Sequence, residues 1–545
     1  MGPYYLDGYA EIDGVRTAYE FAGCFFHGCP ECFDSNTLNL VTKLRFGDMH
    51  QQFQDKIFAL KHTYNLNVHV IWEHQWDKMK AENASVQAFL REFDFPERID
   101  PRDALFGGRT NALQLHYKAE GDDRIDYYDF TSLYPSVNKF KEYPVGHPVV
   151  IYRDFDSVEN YFGLIKAKVY PPRGLYLPVL PYRSGGKLMF TLCRTCCETE
   201  TRGVCNHTDE QRALSGTWCS IEINKAVEKG YKIAKIYEVW HFPDRTDTLF
   251  ADYINTHLKG KQEASGYPSW VKSAEDKERY IQTYFEKEGI RLNPENIGVN
   301  KVKRQISKLF LNSLWGKFGQ RINQASTTLI KDPDEFLMFI FSKLVNVSHF
   351  SFLNDNVAMV QWRNIKGFPN MPRHVNTFIA AFTTAYARLE LYNLMDRLGR
   401  RTLYHDTDSV IFVSKPGDWM PPLGDFLGEL TSELDPDDHI VEFVSGGPKT
   451  YGYRTAKSKT NLKVKGITLH NTNSKVVNIA SLTELVHDFV SNPRDPPREI
   501  RTSTQQILRD KRGFLLKTKT VNKCFKVVYT KRQLLPDYST LPYGY

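Results

Sequence analysis

Apolar residues never run long enough in this chain to cross a bilayer. The densest run, Phe336-Leu-Met-Phe-Ile-Phe341, is six residues long, whereas a membrane helix needs about twenty. The opening residues are polar and lack the zones of a secretory signal. Cysteine is scarce, nine in 545 residues, which excludes a disulfide scaffold. These absences predict an intracellular protein without membrane partners. Neither sign of charge is in large excess, since the net is +7. Its placement is uneven: from Lys449 onward there are 19 Lys and Arg against 6 Asp and Glu, leaving the rest of the chain net acidic. A basic C-terminal region with interleaved aromatic and β-branched residues suits a grip on phosphates. A length of 545 residues allows several cores.

Two segments carry acids in a pointed way. Asp126-Tyr-Tyr-Asp129-Phe-Thr-Ser-Leu-Tyr134-Pro135 reads as a strand that ends at a carboxylate and runs into a helix. Leu403-Tyr-His-Asp406-Thr-Asp408-Ser-Val-Ile-Phe412 reads as a hairpin with acids at its tip. Unit charges 4 Å apart repel by roughly 4 kcal/mol at an effective dielectric near 20. Grouped carboxylates are therefore costly without a cation, and an oxygen-only donor set favours Mg²⁺ or Mn²⁺ over zinc. A helix cap at Asp129 and a solvated turn at Asp406 and Asp408 are the alternatives for each segment alone. A third segment runs from Lys301 to Gly319 and predicts a helix with Lys301, Arg304, Lys308 and Asn312 on one face, Ile306 and Phe310 on the other. A cationic stripe of this kind suits a triphosphate, although a solvated basic face has the same pattern.

In this order the three segments resemble motifs A, B and C of family B DNA polymerases, most closely the protein-primed branch of Polinton/Maverick transposons, viruses and linear plasmids. The patterns D-x-x-S-L-Y-P and Y-x-D-T-D-S are complete, and K-x-x-x-N-S-x-Y-G departs only at Trp315. The resemblance implies an α+β right-hand fold with an antiparallel-sheet palm, helical fingers and a C-terminal thumb. It implies template-directed addition of deoxynucleotides to a primer 3′-hydroxyl, or to a terminal protein's hydroxyl at initiation. Asp129, Asp406 and Asp408 would be catalytic, with Asp129, Asp408 and the Phe130 carbonyl holding two Mg²⁺ ions. Ser132, Leu133, Tyr134, Arg304, Lys308 and Asn312 would bind the dNTP, Tyr134 excluding a 2′-hydroxyl. Leu105-Phe-Gly107-Gly108-Arg109 resembles a template-contacting element, and Lys449-Thr-Tyr451 one that steadies the primer; Lys463 and Lys465 open the thumb. Together these predict DNA contacts at Gly107, Gly108, Arg109, Lys449, Tyr451, Lys463 and Lys465.

The expected boundaries are an N-terminal exonuclease-like or nuclease-like remnant at 1–104, palm with motif A at 105–139, an insertion with more palm at 140–295, fingers at 296–320, a second insertion and palm at 321–451, and thumb at 452–545. No Asp-x-Glu on a strand precedes Asp129, so a proofreading exonuclease is expected to be absent, degenerate or encoded upstream. Two cysteine groups invite a metal reading. Cys24, His27, Cys29 and Cys32 either hold zinc or form a turn of buried thiols, and Cys193, Cys196, Cys205 and His207 either hold zinc or are reduced thiols of a small insertion. Two rival functions follow from the same letters: an inactive nucleic-acid-binding remnant of a mobile element, and a zinc-dependent nuclease.

Overall fold

A computed structural model describes residues 4–39, 42–92, 98–322, 324–342, 344–365, 374–492, 496–510 and 515–545. The chain forms two compact units, Met1–Glu97 and Arg98–Tyr545. In the first, strands β1 (Gly8–Ile12) and β2 (Val15–Ala22) pair as a hairpin. Its turn residues Asp13 and Gly14 are both left-handed, at φ 51° and 78°, the twist-matched turn that an Asp-Gly pair favours. Helix α1 (Phe46–His62) makes the crossover that a parallel strand requires, and β3 (Asn67–Trp72) then pairs with β2. Phe53, Ile57 and Leu60 recur at helical spacing and pack on Ala18 and Ala22 of β2. Glu20 is buried on the same strand and paired with Lys56 at 2.6 Å. Helix α2 (Glu73–Glu82) follows β3.

The expected grouping of His27 with three thiols is corrected here. A helical turn from Gly23 to His27 sends that imidazole against Phe53, with ring centroids 4.6 Å apart. The ring that meets Cys24, Cys29 and Cys32 is His74, at the start of α2.

The second unit begins at Arg98, not at 105, because Ile99 is buried and its N–H donates to Glu238 at 2.8 Å. Strands β4 (Thr110–Ala112) and β5 (Arg124–Phe130) precede helix α3 (Leu133–Phe140). A second sheet holds β6 (Gly163–Tyr170), β7 (Leu214–Cys219) and, after helix α4 (Ser220–Glu228), β8 (Lys232–His241). Three helices come next: α5 (Ala251–Glu263), the charged α6 (Ala274–Glu288) and α7 (Lys301–Phe318). Where a second insertion is expected, the chain forms a small sheet of β9 (Ser326–Ile330), β10 (Val345–Asn354) and β11 (Val357–Asn364).

Helix α8 (Thr377–Leu398) leads to the hairpin β12 (Thr402–Asp406) and β13 (Ser409–Ser414), then to β14 (Leu430–Ser432), β15 (Ile440–Gly447), β16 (Thr450–Thr455) and β17 (Thr460–Lys463). The main sheet is ordered β17-β16-β15-β5-β13-β12-β4, with β14 also bonded to β5. Its pairings are antiparallel. One face sets Tyr128, Phe130, Val410 and Phe412 against Ala387, Leu391 and Met395 of α8. The other sets Ile125, Tyr127, Ile411 and Val413 against Leu482, Leu485 and Val486 of helix α9 (Ile479–Ser491). Burial on both faces explains why β5 and β13 read as nearly continuous apolar runs.

Residues 452–545 do not stay together as one C-terminal body. The stretch to Lys463 completes the main sheet, and the hairpin of β18 (Glu499–Asp510) and β19 (Leu515–Lys526) is a separate, largely exposed sheet whose base packs Ile500 and Phe525 into the core behind the main one. The chain then returns: the Tyr529 hydroxyl donates to the Ala112 carbonyl at 2.6 Å, and Thr540 N–H to the Leu113 carbonyl at 3.0 Å. Among the described residues, no helix is long and apolar enough to cross a membrane.

Candidate active site

Register alone brings the acids together. In the β5–β13 ladder Asp129 lies opposite Ser409, and the Phe130 N–H donates to the Asp408 carbonyl at 2.8 Å. The hairpin turns on Thr407, left-handed at φ 64°, with Asp408 N–H bonded to the Asp406 carbonyl at 2.7 Å. Thr407 N–H in turn donates to the Arg109 carbonyl at 2.8 Å, strapping the turn to the loop before β4. A Cβ on Gly108 would lie 2.8 Å from the Thr407 methyl carbon, so only glycine permits this approach.

The three carboxylates are not equivalent. Asp406 is neutralised within the protein, because Lys449 reaches it at 3.1 Å and the Thr110 hydroxyl donates to it at 2.8 Å. Among the described residues, no cation forms an ion pair with Asp129 or Asp408. Burial first, and then the Asp408 charge, pushes the Asp129 carboxyl up to about 7. Asp408 is likewise raised, by burial and then by Asp406. Two half-buried carboxylates that resist ionisation side by side, with oxygen donors only, fit a hard divalent cation.

Helix α7 begins at Asn300, whose side chain accepts from Lys303 N–H at 2.9 Å. Lys301, Arg304, Lys308 and Asn312 are exposed along it, as the spacing predicts, and Lys308 lies close enough to oppose the shift at Asp129. The buried stripe, however, is Ser307 and Leu311; Ile306 and Phe310 are about half exposed. Tyr134 and Trp315 stack with centroids 4.8 Å apart, so the departure from the motif keeps an aromatic platform. Ser132 is left-handed at φ 56° where β5 turns into α3. The Leu133 side chain is buried in the core, which leaves its backbone for any ligand.

Lys261 on α5 escaped the sequence reading. Its ammonium is 3.5 Å from the Ser132 hydroxyl, and burial together with Arg304 and Lys308 lowers its pKa. Gly260 marks the place: a Cβ there would come within 3.1 Å of the Ser307 hydroxyl, so α5 and α7 cross closely. A glycine flanked by lysines on a helix was the available signal.

Two expected DNA contacts are corrected. Arg109 is 3% exposed, its guanidinium lying 4.0 Å from the Phe190 ring centroid and 5.5 Å from that of Tyr392. Burial pulls it down to about 10; it is a core cation-π residue that cannot reach a phosphate. Tyr451 is 2% exposed, with its hydroxyl 3.0 Å from that of Tyr127. Stacked below the acids, it supports Lys463, whose ammonium is 5.4 Å from its ring centroid. Gly107 and Gly108 do form a loop near the acids, and Lys449, Lys463 and Lys465 are on the surface. Arg388 fixes that loop from beneath: it pairs with Glu222 through two contacts of 2.9 Å and donates to the Phe106 and Gly107 carbonyls at 2.7 and 3.0 Å.

Cys193, Cys196, Cys205 and His207 also converge, with the His207 Nδ1 at 3.5, 3.2 and 3.6 Å from the three sulfurs.

A family model described as DNA polymerase type B, organellar and viral, matches residues 96–275 and 266–398. The match extends over more than half of the chain, which therefore belongs to this family of polymerases. Among curated relatives, a DNA polymerase of Kluyveromyces lactis is 25% identical over 389 residues, covering 69% of this chain and 32% of the relative. A probable DNA polymerase of Neurospora intermedia is 24% identical over 343 residues, covering 60% and 28%. The chain thus spans about a third of the length of the curated relatives it matches. Among solved structures, Phi29 DNA polymerase complexed with primer-template DNA aligns at TM-score 0.48 and 14% identity, covering 82% of this chain and 66% of that one. The ternary complex with incoming nucleotide gives 0.48, 14%, 83% and 67%. The β12–β13 hairpin lies beyond the matched residues, so Asp406 and Asp408 enter the site on the geometry of the sheet.

Proposed function

We propose that the second unit is the catalytic body of a template-directed DNA polymerase, with α7 as fingers and the β18–β19 hairpin as part of a thumb. The observation that carries this reading is the meeting of Asp129 and Asp408 across one ladder while Lys449 satisfies Asp406. Asp129, Asp408 and the Phe130 carbonyl would hold Mg²⁺, which when bound lowers the charge on the reacting phosphate and activates the attacking hydroxyl. Lys308, Arg304 and Lys261 surround the space in front of Ser132 and would take the triphosphate. The Tyr134–Trp315 stack would bear on the sugar and base. The primer 3′-hydroxyl gives up its proton to solvent as its oxygen bonds to the α-phosphorus, the bond from that phosphorus to the oxygen bridging to the β-phosphate breaks, and pyrophosphate leaves with that electron pair. The chain's own part is positioning and charge neutralisation. Surface Lys449, Lys463 and Lys465 would meet the primer-template backbone.

The test is extension of a primed oligonucleotide by the full chain with Mg²⁺ and dNTPs. Template-dependent growth is expected. A chain that binds DNA but adds nothing would favour the inactive remnant, and cleavage that needs no dNTP would favour a nuclease. Lys261→Ala should raise KM for dNTP about tenfold, or ~1.4 kcal/mol, with a smaller change in kcat. A KM equal to that of the wild type would remove Lys261 from the triphosphate site.

We also read the Cys193, Cys196, Cys205 and His207 cluster as a structural zinc site. What supports it is the three-sulfur, one-nitrogen donor set and the Arg212 guanidinium, which bonds both Cys205 Sγ at 3.1 Å and the Gly544 carbonyl at 2.9 Å. Such a site would tie the insertion to the returning C-terminal segment.

A further inference from the structure

The first unit has a small core. Among the described residues its main apolar cluster is Ala18, Ala22, Phe53, Ile57, Leu60 and Leu66, two of them alanines, and Phe25, Phe46 and Met49 are also buried. A unit that spans only Met1–Glu97 is small enough for a metal staple to add usefully to such a core. Beside that core stand Cys24, Cys29 and Cys32 on one turn, and His74 on α2.

We infer that these four residues form a zinc site that staples the first unit, a reading independent of the polymerase assignment. The four ligand atoms all lie within 4.8 Å of one another. His74 Nδ1 is 3.2 Å from Cys24 Sγ, 3.5 Å from Cys29 Sγ and 3.6 Å from Cys32 Sγ. Zn–S bonds near 2.3 Å and Zn–N bonds near 2.05 Å at tetrahedral angles put sulfur and nitrogen about 3.6 Å apart. The turn and helix therefore supply the edges of a tetrahedron around one ion. Thiolates with a single imidazole select zinc over the hard cations that suit the carboxylate site.

The surroundings complete the arrangement. The Glu31 carboxylate is 3.2 Å from His74 Nε2; accepting a hydrogen bond there holds the proton on Nε2 and leaves the Nδ1 lone pair aimed at the thiols. Glu73, next to His74, accepts the Cys24 N–H at 3.0 Å, so the turn and α2 are already joined where the ion would sit. His74 follows Cys32 by 42 positions, and α1 and β3 lie between them. Closing that loop through a metal restrains α1 and β3.

Thiol reactivity in the full wild-type chain, prepared with zinc, separates this site from a cluster of buried thiols. Cys32 is exposed, as is Cys524 in the β18–β19 hairpin of the second unit, so burial shields neither. With zinc bound, Cys32 should alkylate at least about a hundredfold more slowly than Cys524, and a strong chelator should remove the difference. Peptide mass spectrometry reads both positions from one sample. Native mass spectrometry of His74→Ala should show one zinc fewer than wild type. Equal alkylation of Cys32 and Cys524 before chelation, a disulfide between Cys24 and Cys29, or an unchanged zinc count in His74→Ala would each overturn the site. The alkylation comparison needs no variant, so a folding defect in His74→Ala cannot blur it.

Discussion

Replacing Asp129 by Asn should cut nucleotide addition by about a thousandfold or more and yet leave the cation-free protein more stable at neutral pH. The loss of rate follows from removing a ligand to the charge that stabilises the phosphoryl transition state, an effect of several kcal/mol, or ~1.4 kcal/mol per factor of ten. The gain in stability follows from the sign of the titration. Asp129 is pushed up to about 7 in the folded state by burial and by Asp408, from an ordinary value of 3.8. A raised carboxyl favours folding fully below pH 4, and that contribution is lost as pH climbs through about 7. Asparagine has no proton to lose. The melting temperature of Asp129→Asn without divalent ions should therefore rise relative to wild type between pH 4 and 7 and level off above. Comparing the two proteins cancels the opposite slopes of Asp123, Asp438 and Glu442, whose carboxyls are lowered. Adding Mg²⁺ at pH 7.5 should stabilise wild type and leave the variant almost unmoved. A gap between the proteins that narrows as pH rises would contradict the electrostatic account of the site.

Arg388→Met is expected to be the most damaging substitution away from the acids. Arg388 and Glu222 side chains are 2% and 1% exposed, and the guanidinium also serves the two carbonyls that anchor the Gly107–Gly108 loop. Methionine strands a buried carboxylate, at a cost of ~3–5 kcal/mol, against typical total stabilities of ~5–15 kcal/mol. Because the Arg109 carbonyl in that loop holds the Thr407 turn, polymerisation should fall with stability. Arg388→Met combined with Glu222→Leu should recover most of the stability, since a buried pair can be exchanged for apolar contacts at little cost, but less of the activity, since the loop carbonyls remain unbonded. Denaturant titration and primer extension on both variants check this. A single variant within ~1 kcal/mol of wild type would show that the pair does not organise the loop.

What could be read from the letters was local. The acids of β5 and the β12–β13 tip announce themselves because apolar runs, turn residues and carboxylates fall within ten positions of one another. Helix α7 likewise shows its cationic face within its own span. What could not be read depends on contacts made far along the chain. Arg109 beside two glycines has the same local signature whether it reaches solvent or lies against Phe190 and Tyr392. Lys261 joins Arg304 and Lys308 in front of Ser132 only because α5 crosses α7 at Gly260. His27 stood nearest the first thiols in sequence, but the turn at Gly23 carried it away and the fold delivered His74 instead. The buried Tyr451 resembled a surface contact because a Lys-x-Tyr pattern does not say which of its two side chains points inward.

The strand order of the main sheet has a cost during synthesis. Strand β5 ends at Phe130, and the partners on its two sides, β13 on one and β14 with β15 on the other, are complete only at Ser414, Ser432 and Gly447. At about 5–20 residues per second, translation leaves the Tyr127-Tyr128 strand without either neighbour for at least tens of seconds at the slower rates. An aromatic strand with open hydrogen-bonding edges is then free to pair with other nascent chains. Yield of the native protein should therefore depend on chaperone supply and expression temperature more than its finished stability would suggest.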